Sequence, residues 1–222
     1  MTVTLVFLTL LLAVFVGWLV SQTINVKPWI AQSATAGHVR HVPKGATAPR
    51  LGLAVFLAVV TALFALTISA YLMRMEHGAD WRALPEPNLL WINTGILLLG
   101  SVALQWAWGC AKRNNRDGLS LGLSAGGAFT ITFIAGQYLV WRQLNATGYY
   151  MTANPANAFF FLLTALHALH LVGGLVAWAR TLRKLWSGAE PSQVRASVEL
   201  CALYWHFLLV IWAVLFALVL ST

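Results

Sequence analysis

Six long apolar runs dominate the chain, at residues 3–21, 51–73, 89–111, 120–141, 156–179 and 198–220, separated by stretches where Pro, Gly and charged residues collect. A helix rises about 1.5 Å per residue, so each run is long enough to cross roughly 30 Å of hydrocarbon. Transmembrane β-strands are about ten residues long and alternate apolar with polar, which none of these runs does. The pattern therefore predicts an all-α, polytopic membrane helix bundle with six transmembrane helices. No internal repeat interrupts it. The longest connection, TINVKPWIAQSATAGHVRHVPKGATAPR, holds three prolines, four basic residues and no acid, and reads as an irregular surface loop. Residues 1–50 form an additional N-terminal helix with its basic loop, and residues 51–222 form the main bundle. The first run has no basic residue ahead of it and no small-residue cleavage site behind it, so it is expected to stay as a helix and not to act as a secretion signal.

Composition agrees with the membrane setting: 59% of the 222 residues are apolar and only 9% charged, against about 25% charged in ordinary soluble domains. The charges also set an orientation. Lys27, Arg40, Lys44, Arg50, Lys112, Arg113, Arg116, Arg180, Arg183, Lys184 and Arg195 fall in the loops after the first, third and fifth runs. Only Arg74, Arg82 and Arg142 fall on the other side. The positive-inside rule then places both termini outside the cytoplasm. The net charge of +8 is accounted for by basic helix ends meeting anionic headgroups, and no nucleic-acid partner is required. Glu76, Asp80 and Glu86 gather with Arg74 and Arg82 in one outer loop, where local ion pairs are the simple reading. Cys110 and Cys201 both lie near cytoplasmic helix ends, so no disulfide is expected, and two isolated thiols make no metal site.

Candidate chemistry rests on histidine. His167 and His170 stand three residues apart in FFFLLTALHALHLVGG, a spacing that puts both on one helix face, and His206 lies in the last run. With the topology above, His170 and His206 each lie roughly 12 to 14 Å from the cytoplasmic boundary. Three readings compete. Imidazoles from two helices at matching depth can ligate a haem, which makes His170 and His206 a candidate bis-histidine pair in a stand-alone membrane haem protein. Zinc or copper needs more ligands than the helices offer. Neutral histidines can also hydrogen-bond to each other, to Tyr204 or to carbonyls across a helix interface, at about 1 kcal/mol each. Gly173 and Gly174 follow one turn later and let a neighbouring backbone approach.

The stretch AFFFLLTALHALHLVGG followed by ALYWHFLLVIW resembles subunit III of the haem-copper oxygen reductases, the cytochrome c oxidase subunit III family. Weaker similarity runs through LGLAVFLAVVTALFALTISAYL, LWINTGILLLGSVALQWA and GQYLVWRQL, covering about 51 to 220. His167, His170, Gly173 and Gly174 match one family run, Trp205, His206 and Trp212 the other, and Gln137 a third. The resemblance implies a non-catalytic subunit of a bacterial terminal respiratory oxidase, or the accessory subunit of a nitric oxide reductase, in the cytoplasmic (inner) membrane. It implies no cofactor in this chain, with haem and copper in partner subunits. It also implies contact with catalytic subunit I and with subunit II, structural phospholipids in a cleft between helix bundles, and support of proton uptake. Three positions depart from the family pattern. A Ser-Glu pair is replaced by Val59 and Val60, a V-D pair by Leu208 and Leu209, and the acid of a Q-x-x-E by Val140, while Ala168 stands where Gly is commoner. Each place where a membrane carboxylate is expected is thus aliphatic.

Overall fold

The structure, a computed structural model, describes residues 48–221 except 79, 83, 84, 86 and 87. Among the described residues it is all-helical: α1 (Ala48–His77), α2 (Leu89–Lys112), α3 (Arg116–Ala146), α4 (Pro155–Trp186) and α5 (Pro191–Leu220). All five are long and apolar enough to cross a membrane. They correspond to the second to sixth predicted runs; the first, 3–21, lies outside the described residues. The helices outrun the apolar segments, α4 by seven residues and α5 by seven at the loop that joins them. The extra turns carry charge, and a helix does not stop where hydrocarbon ends while its backbone remains hydrogen-bonded.

Local signals end the helices. Asn115 accepts from the Gly118 amide at 3.0 Å to cap α3, and Asn154 accepts from Ala156 to cap α4, with Pro155 in the first turn. The α2–α3 turn is short because Asn114 takes a left-handed φ of 52°, which asparagine tolerates better than most residues. Arg116 Nη2 donates to the Leu185 carbonyl at 2.8 Å, fastening the start of α3 to the end of α4. At the opposite end Asn154 Nδ2 donates to the Arg82 carbonyl at 2.6 Å.

Helices α2 to α5 form the core, with the closest pairing between α2 and α3. Small residues make that approach possible: a Cβ on Gly122 would sit 2.8 Å from the Ala107 Cβ and 3.0 Å from the Ala103 carbonyl oxygen. That geometry belongs to transmembrane pairs in which van der Waals packing replaces a hydrophobic drive. From Leu57 onward α1 attaches differently. It reaches the bundle through large side chains: Val60, Phe64, Ile68 and Tyr71 are buried in one apolar cluster with Leu163 of α4 and Ile211 and Leu215 of α5. Tyr71 meets Trp81 and Phe159 edge to face at 4.9 and 5.6 Å, the arrangement the ring quadrupoles favour.

At the end of α1 Arg74 Nη2 holds both oxygens of Asp80, at 2.7 and 2.9 Å. That hydrogen bond holds the Asp80 carboxyl below its ordinary value. A depressed carboxylate contributes above its unfolded pKa and loses that contribution as pH falls through the folded pKa. The pair is exposed, so its effect is local. Asp80→Asn is expected to speed chymotryptic cleavage after Trp81 at neutral pH while leaving bundle unfolding unchanged, and well below about pH 4, with pepsin in place of chymotrypsin, wild type and variant should be cleaved in the loop after α1 at the same rate. Packing gives a second expectation. Gly122→Leu should destabilise the detergent-solubilised protein by about 1–3 kcal/mol, measured by thermal unfolding, whereas Gly173→Leu, which meets nothing within 4 Å, should not.

Candidate functional site: the polar layer of the helix bundle

Within hydrocarbon a polar side chain must find its partner inside the protein. Three tryptophans of the bundle do so in one way. Trp205 Nε1 donates to Thr130 Oγ1 at 2.8 Å, Trp212 Nε1 to Thr94 Oγ1 at 2.9 Å and Trp141 Nε1 to Thr164 Oγ1 at 3.1 Å. Each threonine in turn donates to a carbonyl one turn back in its own helix: Gly126 at 2.8 Å, Leu90 at 2.8 Å and Phe160 at 2.7 Å. The hydroxyl is thereby used as both donor and acceptor, and the indole proton is satisfied without water. A fourth, Trp178, donates directly to the Leu123 carbonyl at 2.8 Å, its ring lying where a Cβ on Gly127 would be.

The histidines take three separate positions. His167 is fully buried, its ring 5.8 Å from Phe133 and 5.2 Å from Trp212. Neither ring nitrogen has a hydrogen-bond partner among the described residues, and the same holds for the side chains of Asn93 and Gln137, which are equally buried. His170 Nδ1 donates to the Leu166 carbonyl at 2.7 Å, and its ring packs 5.6 Å from Phe64 of α1. His206 lies between α5 and α2: Nδ1 bonds Ser101, and Nε2 bonds Gln105 Oε1 at 2.9 Å. One proton arrangement satisfies all three groups, with the serine hydroxyl donating to Nδ1 and Nε2–H donating to the amide oxygen.

These positions correct two expectations. His167 and His170 do not address one neighbour together; the 60° between residues three apart on a helix sends His167 into the interior and His170 toward α1. The depth match between His170 and His206 holds, since Tyr204, two residues from His206, donates to the His170 carbonyl at 2.9 Å. The shared network does not. Two residues along a helix are 200° apart, so Tyr204 faces α4 while His206 faces α2 on the far side of α5. His170 and His206 cannot flank one haem from there.

The remaining motif residues divide by task. A Cβ on Gly174 would fall 2.6 Å from the Tyr204 ring, so this glycine is what lets α5 pack against α4, whereas Gly173 faces open space. Trp205 and Trp212 are buried donors, and Gln137 is a buried amide beside them on α3. Sequence reasoning missed Thr94, Ser101, Gln105, Thr130 and Thr164. A signal was present in LWINTGILLLGSVALQWA, where Asn93, Thr94, Ser101 and Gln105 recur at helical spacing. Three of the departing positions are deep in the core: Val60 is 2% exposed, and Val140 and Leu208 are fully buried.

A family model described as cytochrome c oxidase subunit III matches residues 1–221. The chain belongs to the cytochrome c oxidase subunit III family. It is accordingly a non-catalytic membrane subunit of a haem-copper oxidase. Among relatives, cytochrome c oxidase subunit 3 of Synechocystis is 31% identical over 176 residues, covering 76% of this chain and 73% of the relative. Probable cytochrome c oxidase subunit 3 of Mycobacterium tuberculosis is 31% identical over 161 residues, covering 71% and 77%. A heme-copper oxidase subunit I+III of Aeropyrum pernix is 27% identical over 192 residues, which are 82% of this chain and 24% of that relative.

If the indole–threonine pairs hold subunit III together, Thr130→Val should lower its stability by about 1 kcal/mol. The double change with Trp205→Phe should cost less than the two singles combined. His170→Leu and His206→Leu, acting on opposite sides of α5, should instead be additive. Thermal unfolding of the single and double variants measures both cycles.

Proposed function

We propose that this chain is the structural third subunit of a terminal respiratory oxidase in a bacterial cytoplasmic membrane, seated beside subunits I and II, with both termini outside the cytoplasm. The observation that carries the reading is how the polar groups of the spans are used. The indoles of Trp141, Trp178, Trp205 and Trp212 and two of the three span histidines are engaged in hydrogen bonds, and the third histidine is enclosed by rings. Among the described residues Glu76, Asp80, Asp117 and Glu190 sit at helix ends or in a loop, and Glu199 lies eight residues into α5. A group that moves protons or electrons across hydrocarbon needs an ionisable side chain there. Valine occupies Val60 and Val140, so this chain offers no carboxylate relay at those positions.

Haem and copper belong, in this reading, to the partner subunits, and this chain contributes packing surface. Phospholipid is the further component. Between α1, α4 and α5 lies a small cleft lined by Tyr71, Phe160, Leu163, Thr164 and Leu215, apolar apart from two hydroxyls, a lining whose chemistry matches a lipid tail. The orientation follows from the basic residues in three loops, and the Aeropyrum pernix relative, named as subunit I+III, supports a place beside the catalytic subunit.

Removing this subunit from the purified complex is expected to leave haem and copper per catalytic subunit unchanged while the enzyme inactivates faster during turnover. Loss of a fixed equivalent of haem, read by pyridine haemochrome assay, would overturn the proposal. Protease added to intact spheroplasts should spare the 22–50 loop, and mass spectrometry of the intact complex should find retained phospholipid.

A further inference from the structure

One face of α2 is unlike the other lipid-exposed surfaces. Trp91, Gly95, Leu98, Val102, Gln105 and Gly109 recur every three or four residues and so form one stripe along the helix. A Cβ added at Gly95 or Gly109 would meet nothing within 4 Å, so these glycines do not serve packing inside the described bundle. Between them lies Gln105. Its oxygen accepts from His206, His206 is tied to buried Ser101, and the amide NH2 has no acceptor among the described residues. Thr67 and Thr132, by contrast, donate to carbonyls of their own helices at 2.9 Å. Gln105 is seven residues from the end of α2, about 10 Å below that end, where neither water nor headgroups can serve an amide.

We propose that the α2–α5 face centred on Gln105 and His206 docks a transmembrane helix of the catalytic subunit I, which presents a hydrogen-bond acceptor to the Gln105 amide and packs its backbone against Gly95 and Gly109. This rests on the reading of the chain as an oxidase subunit. Small residues with one polar group are what close helix–helix contact in hydrocarbon uses. An amide donor left facing lipid costs free energy that a helix partner removes. Subunit I is the occupant argued for because the Aeropyrum pernix relative is named as subunit I+III, and joining the two in one chain keeps their membrane portions within reach of each other. Ser101 and His206 then act as positioning residues that hold the amide oxygen inward and leave the NH2 outward.

The test uses the full complex in native membranes. The photoreactive residue p-benzoylphenylalanine replaces Val102 on the stripe or, in a separate strain, Leu169 on the exposed face of α4. Crosslinking from position 102 to subunit I, with none from 169, is the expected result. Crosslinking to subunit I from 169 but not 102 would overturn the face while leaving the subunit reading intact. Products from 102 that contain only lipid, the chain's own N-terminal segment or a second copy of the chain would also overturn it. Absence of any oxidase subunit from the purified complex would overturn the reading beneath it. As a second measurement, Gly95→Leu and Gly109→Leu should each lower retention of this subunit during detergent purification by about threefold or more. Gly173→Leu should not; the reverse pattern would overturn the proposal.

Discussion

An indole N–H in hydrocarbon has no water to turn to, and much of the bundle is arranged around that fact. Threonine answers it well. Its hydroxyl gives its proton to the carbonyl one turn back, as hydroxyls in helices readily do, and keeps a lone pair for a donor on the next helix. Trp205, Trp212 and Trp141 each use such a threonine, and the three pairs link α5 to α3, α5 to α2 and α3 to α4. The large rings fill volume while the hydrogen bonds fix rotation. Phe133, Trp212 and His167 then stack into one aromatic group, with Phe133 and Trp212 edge to face at 4.8 Å. Lipid is as apolar as leucine, so burial alone gives little preference for one rotation of a helix over another. Specific bonds and shape supply that preference.

The same reasoning separates α1 from its neighbours. From Leu57 onward it contributes aromatic and branched side chains to the cluster with Leu163, Ile211 and Leu215, and its own hydroxyls turn back on its backbone: Thr61 to Leu57, Thr67 to Leu63 and Ser69 to Ala65. Contact through long side chains holds helix axes apart, whereas glycine at Gly122 and Gly174 brings them close. The cleft beside Tyr71 and Phe160 is the geometric consequence of mixing the two kinds of contact.

What could be read in the sequence follows from the same physics. Length and apolarity revealed the spans, because crossing hydrocarbon needs about 20 apolar residues. They did not reveal where the helices stop, since Arg180 to Trp186 and Pro191 to Ser197 remain helical beyond the apolar runs. Depth was legible: Tyr204 does meet the level of His170. Rotation was not. A helix apolar on all sides has no wet face to orient it, so nothing in the spacing of His167, His170 and His206 told which neighbour each would meet. Polar residues inside the runs were the remaining clue, and Asn93, Thr94, Ser101 and Gln105 on α2 mark the two sides from which α3 and α5 approach.

The aliphatic substitutions bear on why such a subunit is tolerant of change. Val60 lies among Phe64, Leu163 and Ile211, where an ionised glutamate would have to be hydrogen-bonded or neutralised to be stable. Replacing a buried charge and its partners with well-packed apolar groups is often neutral or stabilising. The bundle can therefore lose its carboxylates and keep its shape, provided the indole–threonine pairs and the Gly122 and Gly174 contacts remain. Chemistry that depended on those carboxylates could not survive the exchange. Mechanical support, which depends on helix position alone, does, and that is the role left to a chain whose deepest polar groups are amides, hydroxyls and imidazoles.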